Sequence, residues 1–398
     1  MKIYLNELGV VSALGKGCEE TICAVLQNES SPLHRTDEFS PGKQRHVGQI
    51  QSELSAIKGD LAEKVGYQSR NNQVLMTAFE QIESAVDIVV QEVGVSRVAV
   101  ILGTSTSGIS EGEQAYKSYQ LHGKWPEGYH YQQQDIGCPA MFLAEHLGLK
   151  GIAYTISTAC SSGAKALASA ARLLDLGLCD AVIAGGVDSL CNLTVQGFGA
   201  LDALSEEICN PSSRRRSGIN VGEAAAVFLV SGNPSRVCLS GTGESSDAHH
   251  ISAPDPEGKG AFAAMSEALR QAGKTQKDID YLNLHGTATV QNDQMEHRAI
   301  NQLFGSTVLC SSTKPLTGHC LGAAGAIEAG LCWLILQAEH FDVQSSVPVH
   351  RWDGEEDERL AKLELVDINN CNPERLQTVM SNSFAFGGSN ISLIMERD

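Results

Sequence analysis

The sequence is short of several things, and each shortage excludes a class of protein. Its 398 residues include 12 cysteines but no C-x-x-C pair. Most of those cysteines stand in apolar surroundings, which speaks against a zinc site and against a disulfide framework. A reducing compartment is therefore expected. The opening run Met1 to Glu7 has no signal-peptide h-region, so a cytoplasmic location is expected as well. Long uninterrupted apolar runs are also missing. Leu321 to Ala338 comes nearest, but Glu328 lies inside it and Gly recurs, which predicts a buried helix and no membrane span. Positive charge is in deficit. A formal net charge of −18 argues against nucleic acid as a partner. An acidic protein partner stays open, but it needs a local basic patch.

What is present suits a compact α/β protein: 42% apolar residues and 39 glycines. The chain is too long for one simple core, so two halves are expected. Strands are predicted at Ile3–Leu14, Val98–Leu102, Gly151–Thr158, Ala181–Ala184 and Ala224–Val230. A helical apolar repeat runs over Val74–Val93, and residues 28–50 and Glu206–Asn220 read as loops. The second half echoes the first. Tyr281 to Thr289 repeats the plan of Val98 to Thr106, a strand and then G-T-x-T. Thr378 to Gly388 repeats that of Ala181 to Gly186, a strand and then paired glycines. The boundary falls near 231–236, giving halves 1–233 and 234–398. Strands alternating with helices predict mostly parallel sheets covered by helices.

The chemistry centres on Cys160. A β-branched strand ends just before it, and an Ala/Leu-rich helix from Ala164 to Leu176 follows Ser161-Ser162-Gly163. A thiol at that join faces free N–H groups and the positive end of the helix dipole. Both favour thiolate, the form that attacks carbonyls. The layout is that of a nucleophile elbow with Cys in place of Ser. The competing reading is one more buried structural cysteine.

Four later features point the same way. His285 follows an apolar strand and precedes Gly286, at a strand's carboxyl end, where α/β sheets bind ligands. Lys314 and His319 lie on a turn after the strand Thr307–Cys310. Glu328 sits in an apolar stretch where an unpaired carboxylate is costly. Asn382 to Asn390 is a Gly-rich turn whose backbone N–H groups can approach an oxyanion. Taken singly, each histidine has a structural or solvated reading, and Arg214-Arg215-Arg216 reads as a solvated loop, with docking of an acidic partner as the other reading.

Together, Thr158 to Gly163, His285 to Thr289, Lys314 to His319 with Gly322 to Gly325, and Asn382 to Asn390 resemble the β-ketoacyl-[acyl-carrier-protein] synthases, in their elongating Cys-His-His class. The resemblance runs from about residue 97 to the end. It implies a thiolase-like α/β fold, with two pseudo-repeated halves in five α/β/α/β/α layers, normally dimeric. It implies that Cys160 takes an acyl chain from a carrier's phosphopantetheine. His285 and His319 match the pair that promotes decarboxylation of malonyl-carrier protein. Lys314 matches the lysine that supports them, and Glu328 a buried carboxylate behind the site. Backbone N–H groups of Cys160 and Phe386 match the oxyanion hole. Thr287 and Thr289 match the threonines on the pantetheine arm. Phe386, with Gly387 and Gly388, matches the gate beside the nucleophile. The family needs no metal and no resident cofactor, because the acyl carrier protein brings the activated thioester.

Some positions depart from the family pattern. Val290 to Asp293 stands where Pro-x-Gly-Asp is usual, Ile219 replaces a Phe, and Ala224 a Gly. A specialised paralogue for a polyene or other secondary acyl product fits those changes. A non-catalytic chain-length factor lacks the nucleophile, so Cys160 with both histidines speaks for a homodimer or for the active half of a heterodimer. A thiolase needs a second cysteine in the C-terminal Gly-rich turn, and an initiating synthase replaces one histidine by Asn.

Overall fold

The computed structural model describes residues 1–27, 30–341, 343 and 346–398. Among the described residues the main sheet has twelve strands, ten of them longer ones and two of two residues each, Gly15–Lys16 and Glu364–Leu365 at its margins. Of the ten, the first five are β1 (Tyr4–Ser12), β2 (Val98–Gly103), β3 (Ala153–Ile156), β4 (Ala181–Asp188) and β5 (Ala224–Ser231). They lie in the order β1-β5-β4-β2-β3. The second five are β6 (Val237–Ser246), β7 (Tyr281–Asn283), β8 (Leu309–Ser311), β9 (Thr378–Ala385) and β10 (Ser389–Arg397). Their order is β6-β10-β9-β7-β8, the same plan repeated. Both sequence echoes fall on equivalent strands. β2 and β7 are each fourth from the centre, and β4 and β9 each third. The two half-sheets join where Tyr4 of β1 pairs with Cys238 of β6 and Leu239 N–H donates to Ile3 O (2.9 Å).

Both half-sheets are mixed where mostly parallel sheets were expected, and the second, with Glu364–Leu365 added in parallel at its edge, comes nearer to the expectation than the first. In each, the two inner pairings are antiparallel and the two outer ones parallel. In the second half the connection accounts for it. β9 turns straight into β10 through Phe386–Gly388, and a hairpin forces antiparallel strands. The outer strands are joined through helices, which permit parallel pairing.

Five layers follow from three apolar clusters. Helix α1 (Arg70–Phe79) covers the outer face of the first half-sheet, packing Val74, Leu75 and Phe79 with Val100, Ile183 and Val227. Helix α3 (Lys259–Ala272) covers the outer face of the second, with Met265 and Leu269 against Leu282 and Ile394. Between the half-sheets lie α2 (Ser162–Asp175) and α5 (Ala324–Ile335), in one cluster with Phe228 and Leu393. These two helices cross at small residues. A Cβ on Gly163 would lie 2.8 Å from that of Ala326, and one on Gly325 2.7 Å from that of Ala164. The Gly/Ala richness of both segments is what lets the central layer close.

The helical repeat over Val74–Val93 is two helices, α1 and a second at Glu83–Val93. The first is buried almost throughout, whereas the second buries only Val86 along its length. One straight rod could not present both surfaces. Of the loop expected over 28–50, residues 28 and 29 lie outside the described residues. The remainder carries a hairpin, His34–Thr36 paired with Arg45–Val47. Among the described residues, no helix is long and apolar enough to cross a membrane.

Candidate active site

The nucleophile turn forms as the sequence suggests. β3 ends at Ile156 and α2 starts at Ser162. Between them Ala159 has φ 52°, a left-handed conformation that costs a non-glycine residue energy. Local hydrogen bonds hold it: Ser162 Oγ donates to Ala159 O (2.6 Å) and accepts from Thr158 N–H (2.9 Å). Cys160 is thereby lifted to the wall of a cavity of about 370 Å³.

Two distant segments bring imidazoles to that sulfur. His319 Nε2 stands 2.9 Å from Cys160 Sγ. The rings of His285 and His319 are 5.4 Å apart between centroids and nearly perpendicular. One side-chain donor atom from each of Cys160, His285 and His319 lies within 4.8 Å of the others. All three residues are almost fully buried. The His319 backbone is tied down on both sides. Its N–H donates to Asn220 O (2.6 Å), and its carbonyl accepts from Gly222 N–H (2.9 Å). The Gly218–Ala224 stretch that departs from the family pattern is therefore the strut behind one histidine.

Lys314 and Glu328 lie behind the histidines. Lys314 Nζ donates both to the carbonyl of His285 and to the carboxylate of Glu328, in a site closed to solvent. Burial pushes the Glu328 carboxyl up to about 7 against the opposing charge of Lys314. Burial, joined by the Lys314 charge, holds His285 and His319 well below the ordinary imidazole range, so both rings are neutral at pH 7.

The thiol differs from the sequence expectation. Helix position was expected to favour thiolate, yet burial pushes Cys160 up to about 11. The Lys314 charge and the backbone N–H groups of Phe386 and Cys160 pull the other way and lose. Those two N–H groups are the expected oxyanion donors, and here both address the sulfur. A buried thiol beside a neutral imidazole is set up for proton transfer to His319 Nε2 as it attacks.

The remaining expected residues line or frame the cavity. Thr287 and Thr289 line it, with their hydroxyls 3.0 Å apart. Phe386 lines it too, its ring 5.6 Å from that of Phe198 and tilted to it by 48°. Gly387 and Gly388 have φ 82° and 76°, so only glycine turns there without strain. Ile219, Val290, Gln291 and Asn292 are also lining residues, so those departures change the cavity wall itself.

Three buried carboxylates escaped the sequence reading. Asp188 accepts from Ser105 N–H (2.7 Å), Thr106 N–H (2.9 Å) and Gly322 N–H (2.6 Å), tying the end of β4 to the loop after His319. Glu296, in helix α4 (Val290–Phe304), accepts from the N–H groups of His285 (2.7 Å) and Gly286 (2.8 Å). Glu223 pairs with Arg70 and accepts from Ile50 N–H (3.0 Å). Asp188 and Glu223 are acids in Gly- and apolar-rich stretches, the same signal that drew attention to Glu328, whereas Glu296 stands in a polar helix and carries no such signal. The solvated-loop reading holds for Arg214 and Arg215 but fails for Arg216. Its guanidinium is buried and donates to Asp357 at 2.6 Å.

Residues 27–234 match the family described as "Beta-ketoacyl synthase, N-terminal domain", and residues 237–345 match "Beta-ketoacyl synthase, C-terminal domain". The chain belongs to the β-ketoacyl synthase family, whose members are acyltransferases. The 3-oxoacyl-[acyl-carrier-protein] synthase 2 of Coxiella burnetii is 30% identical over 420 residues, spanning 100% of this chain and 98% of that protein. The mitochondrial 3-oxoacyl-[acyl-carrier-protein] synthase of Arabidopsis thaliana is 30% identical over 441 residues, spanning 99% and 92%. Among solved structures, the ketosynthase ApeO, in complex with its chain length factor ApeC from Xenorhabdus doucetiae, is similar at a TM-score of 0.92 and 43% identity, covering 100% of this chain and 98% of that one. The fold is thiolase-like, as in these ketosynthases.

Proposed function

We propose that the chain condenses an acyl group held on Cys160 with malonyl-carrier protein, losing CO₂. The reading rests on the 2.9 Å contact between Cys160 Sγ and His319 Nε2, with His285 beside them in one cavity. The chemistry runs in two stages. Cys160 Sγ attacks the acyl-carrier thioester, His319 accepts the thiol proton, and the carrier's pantetheine sulfur leaves as a thiol when His319 hands that proton to it. Malonyl-carrier then enters, with Thr287 and Thr289 on its arm. The C–CO₂ bond breaks, and negative charge moves to the thioester oxygen, where N–H donors of His285 and His319 stabilise it. The enolate carbon attacks the acyl-Cys160 carbonyl. The backbone N–H groups of Cys160 and Phe386 receive that oxyanion, and the Cys160 sulfur leaves as a thiolate that takes up a proton from solvent. Lys314 and Glu328 hold the His285 loop. Phe386 and the Gly387-Gly388 turn gate the entrance. The reaction draws on no resident metal or redox cofactor, and we place it in the cytoplasm. The two halves, 1–233 and 234–398, supply the nucleophile and the histidines respectively.

The working unit is proposed to be a dimer. A heterodimer with a chain-length-factor-like subunit is favoured over a homodimer by the 43% identical ketosynthase, which is in complex with such a factor. The proposed product class is a polyene or similar secondary acyl chain. Intact-mass analysis after incubation with a panel of acyl-carrier proteins tests the reading. Acyl adducts on the wild type, absent from Cys160→Ala, support it. An unmodified wild-type chain across the panel would sink it.

A further inference from the structure

The loop that carries His285 is gripped at every backbone group of two successive residues. The N–H groups of His285 and Gly286 donate to Glu296 (2.7 and 2.8 Å). Their carbonyls are held from one turn, Ser312 to Lys314. Ser312 Oγ donates to Gly286 O at 2.7 Å, and Lys314 Nζ donates to His285 O. The fit is close, for a Cβ on Gly286 would stand 2.5 Å from that of Ser312. Whatever fixes Ser312 therefore fixes the backbone under His285.

Ser312 follows β8, and the ladder there shows what it needs. β8 pairs in parallel with Glu364–Leu365, Leu309 opposite Glu364 and Cys310 opposite Leu365. Val366 N–H then donates to Cys310 O at 3.0 Å. One further step of such a ladder would carry Ser312 N–H to Val366 O. The pattern breaks at that step. Val366 O accepts instead from the backbone N–H of His350 at 2.8 Å. Ser312 N–H donates to the ring of the same residue, to Nδ1 at 3.1 Å. His350 is spliced into the sheet edge: its backbone takes the acceptor, and its imidazole replaces it. A buried N–H left without an acceptor is costly, so a broken ladder requires such a substitute.

Both ring nitrogens are committed. Pro211 O, 3.0 Å from Nε2, can only accept, so Nε2 carries the proton. Ser312 N–H can only donate, so Nδ1 is bare. Burial, with His297 acting in the same direction, holds this imidazole down at about 4, and the ring keeps that neutral form at pH 7. The two arms have different destinations. The Pro211 arm ends on the 206–220 loop, beside a separate cleft of about 810 Å³ that Ser212 and His350 line. The Ser312 arm leads to the carbonyls behind His285.

We propose that His350 is a positioning residue for decarboxylation, setting the backbone of His285 through Ser312. The inference rests on the condensation reading above. Asparagine and glutamine divide the ring's two functions and so test it. In His350→Asn the amide oxygen takes the place of Nδ1 and receives Ser312 N–H. In His350→Gln the amide nitrogen takes the place of Nε2 and keeps Pro211, leaving Ser312 N–H an orphan. CO₂ release from malonyl-carrier, acyl loading of Cys160 and the denaturation midpoint are measured for each.

His350→Gln should lower kcat for CO₂ release about tenfold, with KM for malonyl-carrier within about twofold and loading within about threefold of wild type. His350→Asn should keep release within about threefold, although its midpoint falls at least as far, because it removes more of the ring's volume. A merely structural histidine gives the reverse order, with asparagine the more damaging to release. That order, equal losses in the two variants, or unchanged release in His350→Gln overturns the proposal. So does loading that slows as much as release in His350→Gln. A wild type that releases no CO₂ from malonyl-carrier is a different result: it strikes the condensation reading, and this inference falls with it.

Discussion

His319 Nε2 lies 2.9 Å from the sulfur of Cys160, although the two residues are 159 positions apart. Neither reaches the other without the central helices. α2 begins just after the cysteine, α5 begins just after the histidine, and the two cross at Gly163 and Gly325. Loading of Cys160, its titration and its tolerance of nearby mutation all depend on that crossing.

Cys160→Ala should abolish both acyl loading and condensation while leaving the fold intact, since it removes one sulfur from a well-packed turn. Cys160→Gln should keep malonyl decarboxylation, because both histidines remain. Radiolabelled CO₂ release, measured apart from condensation, checks the pair of variants.

The pH behaviour follows from the direction of each shift. Cys160 is pushed up to about 11, so it is almost wholly thiol at pH 7. Its alkylation by iodoacetamide should speed up about tenfold per pH unit from 7 to 9, with no plateau near 8.5, where an ordinary thiol levels off. The histidines are shifted down, so they stay neutral as pH falls through 6.5. Decarboxylation should therefore hold through pH 6 and decline only below it. An alkylation plateau at pH 8 would show the sulfur to be less buried than the structure has it.

Lys314→Ala leaves the Glu328 carboxylate buried without its cation and frees the carbonyl of His285. Breaking a buried pair on one side costs about 3–5 kcal/mol, visible as a lower denaturation midpoint. Decarboxylation should slow more than acyl transfer to Cys160, because in the proposed reaction His285 serves decarboxylation alone and His319 serves both. Separate radiolabel assays read the two. Equal slowing of both would place Lys314 behind the whole site and not behind His285.

Asp188→Ala should behave as loss of a positioning residue. It strands the N–H groups of Ser105, Thr106 and Gly322, each orphan costing about 1–3 kcal/mol. The loop after His319 should loosen. Lower kcat with little change in carrier KM is the expected split, and Asp188→Glu should rescue only part of it.

Gly163→Val should be tolerated poorly. Even the first carbon of the new side chain meets Ala326 Cβ at 2.8 Å and Ala326 N at 2.9 Å, and backbone cannot step aside. Overpacking of this kind costs about 1–3 kcal/mol or more. Thermal unfolding measures the loss, and intact-mass loading shows whether the cysteine and histidine have parted.

The local elements were legible because they obey local rules. The strand before Cys160, the Ala-rich helix after it and the paired glycines at 387 and 388 are matters of propensity and backbone freedom. The repeat was legible too, since equivalent strands carry the same strand-then-glycine plan. The direction of the inner strands was not. It depends on whether β9 turns back at once or crosses through a helix, and apolar pattern is blind to that. Asp188, Glu296 and Glu223 were overlooked because their partners, backbone N–H groups and for Glu223 also Arg70, come from other parts of the chain.

The sequence by itself determined which groups could react: one cysteine at a helix start, two histidines on loops and a lysine with a matching buried acid. Only the tertiary structure decided their state. Solvation energy depends on what surrounds a group in three dimensions, so packing turned the expected thiolate into a thiol and kept both imidazoles neutral. It also buried Arg216 while leaving its two neighbours in water, a distinction that three identical letters in a row could not carry.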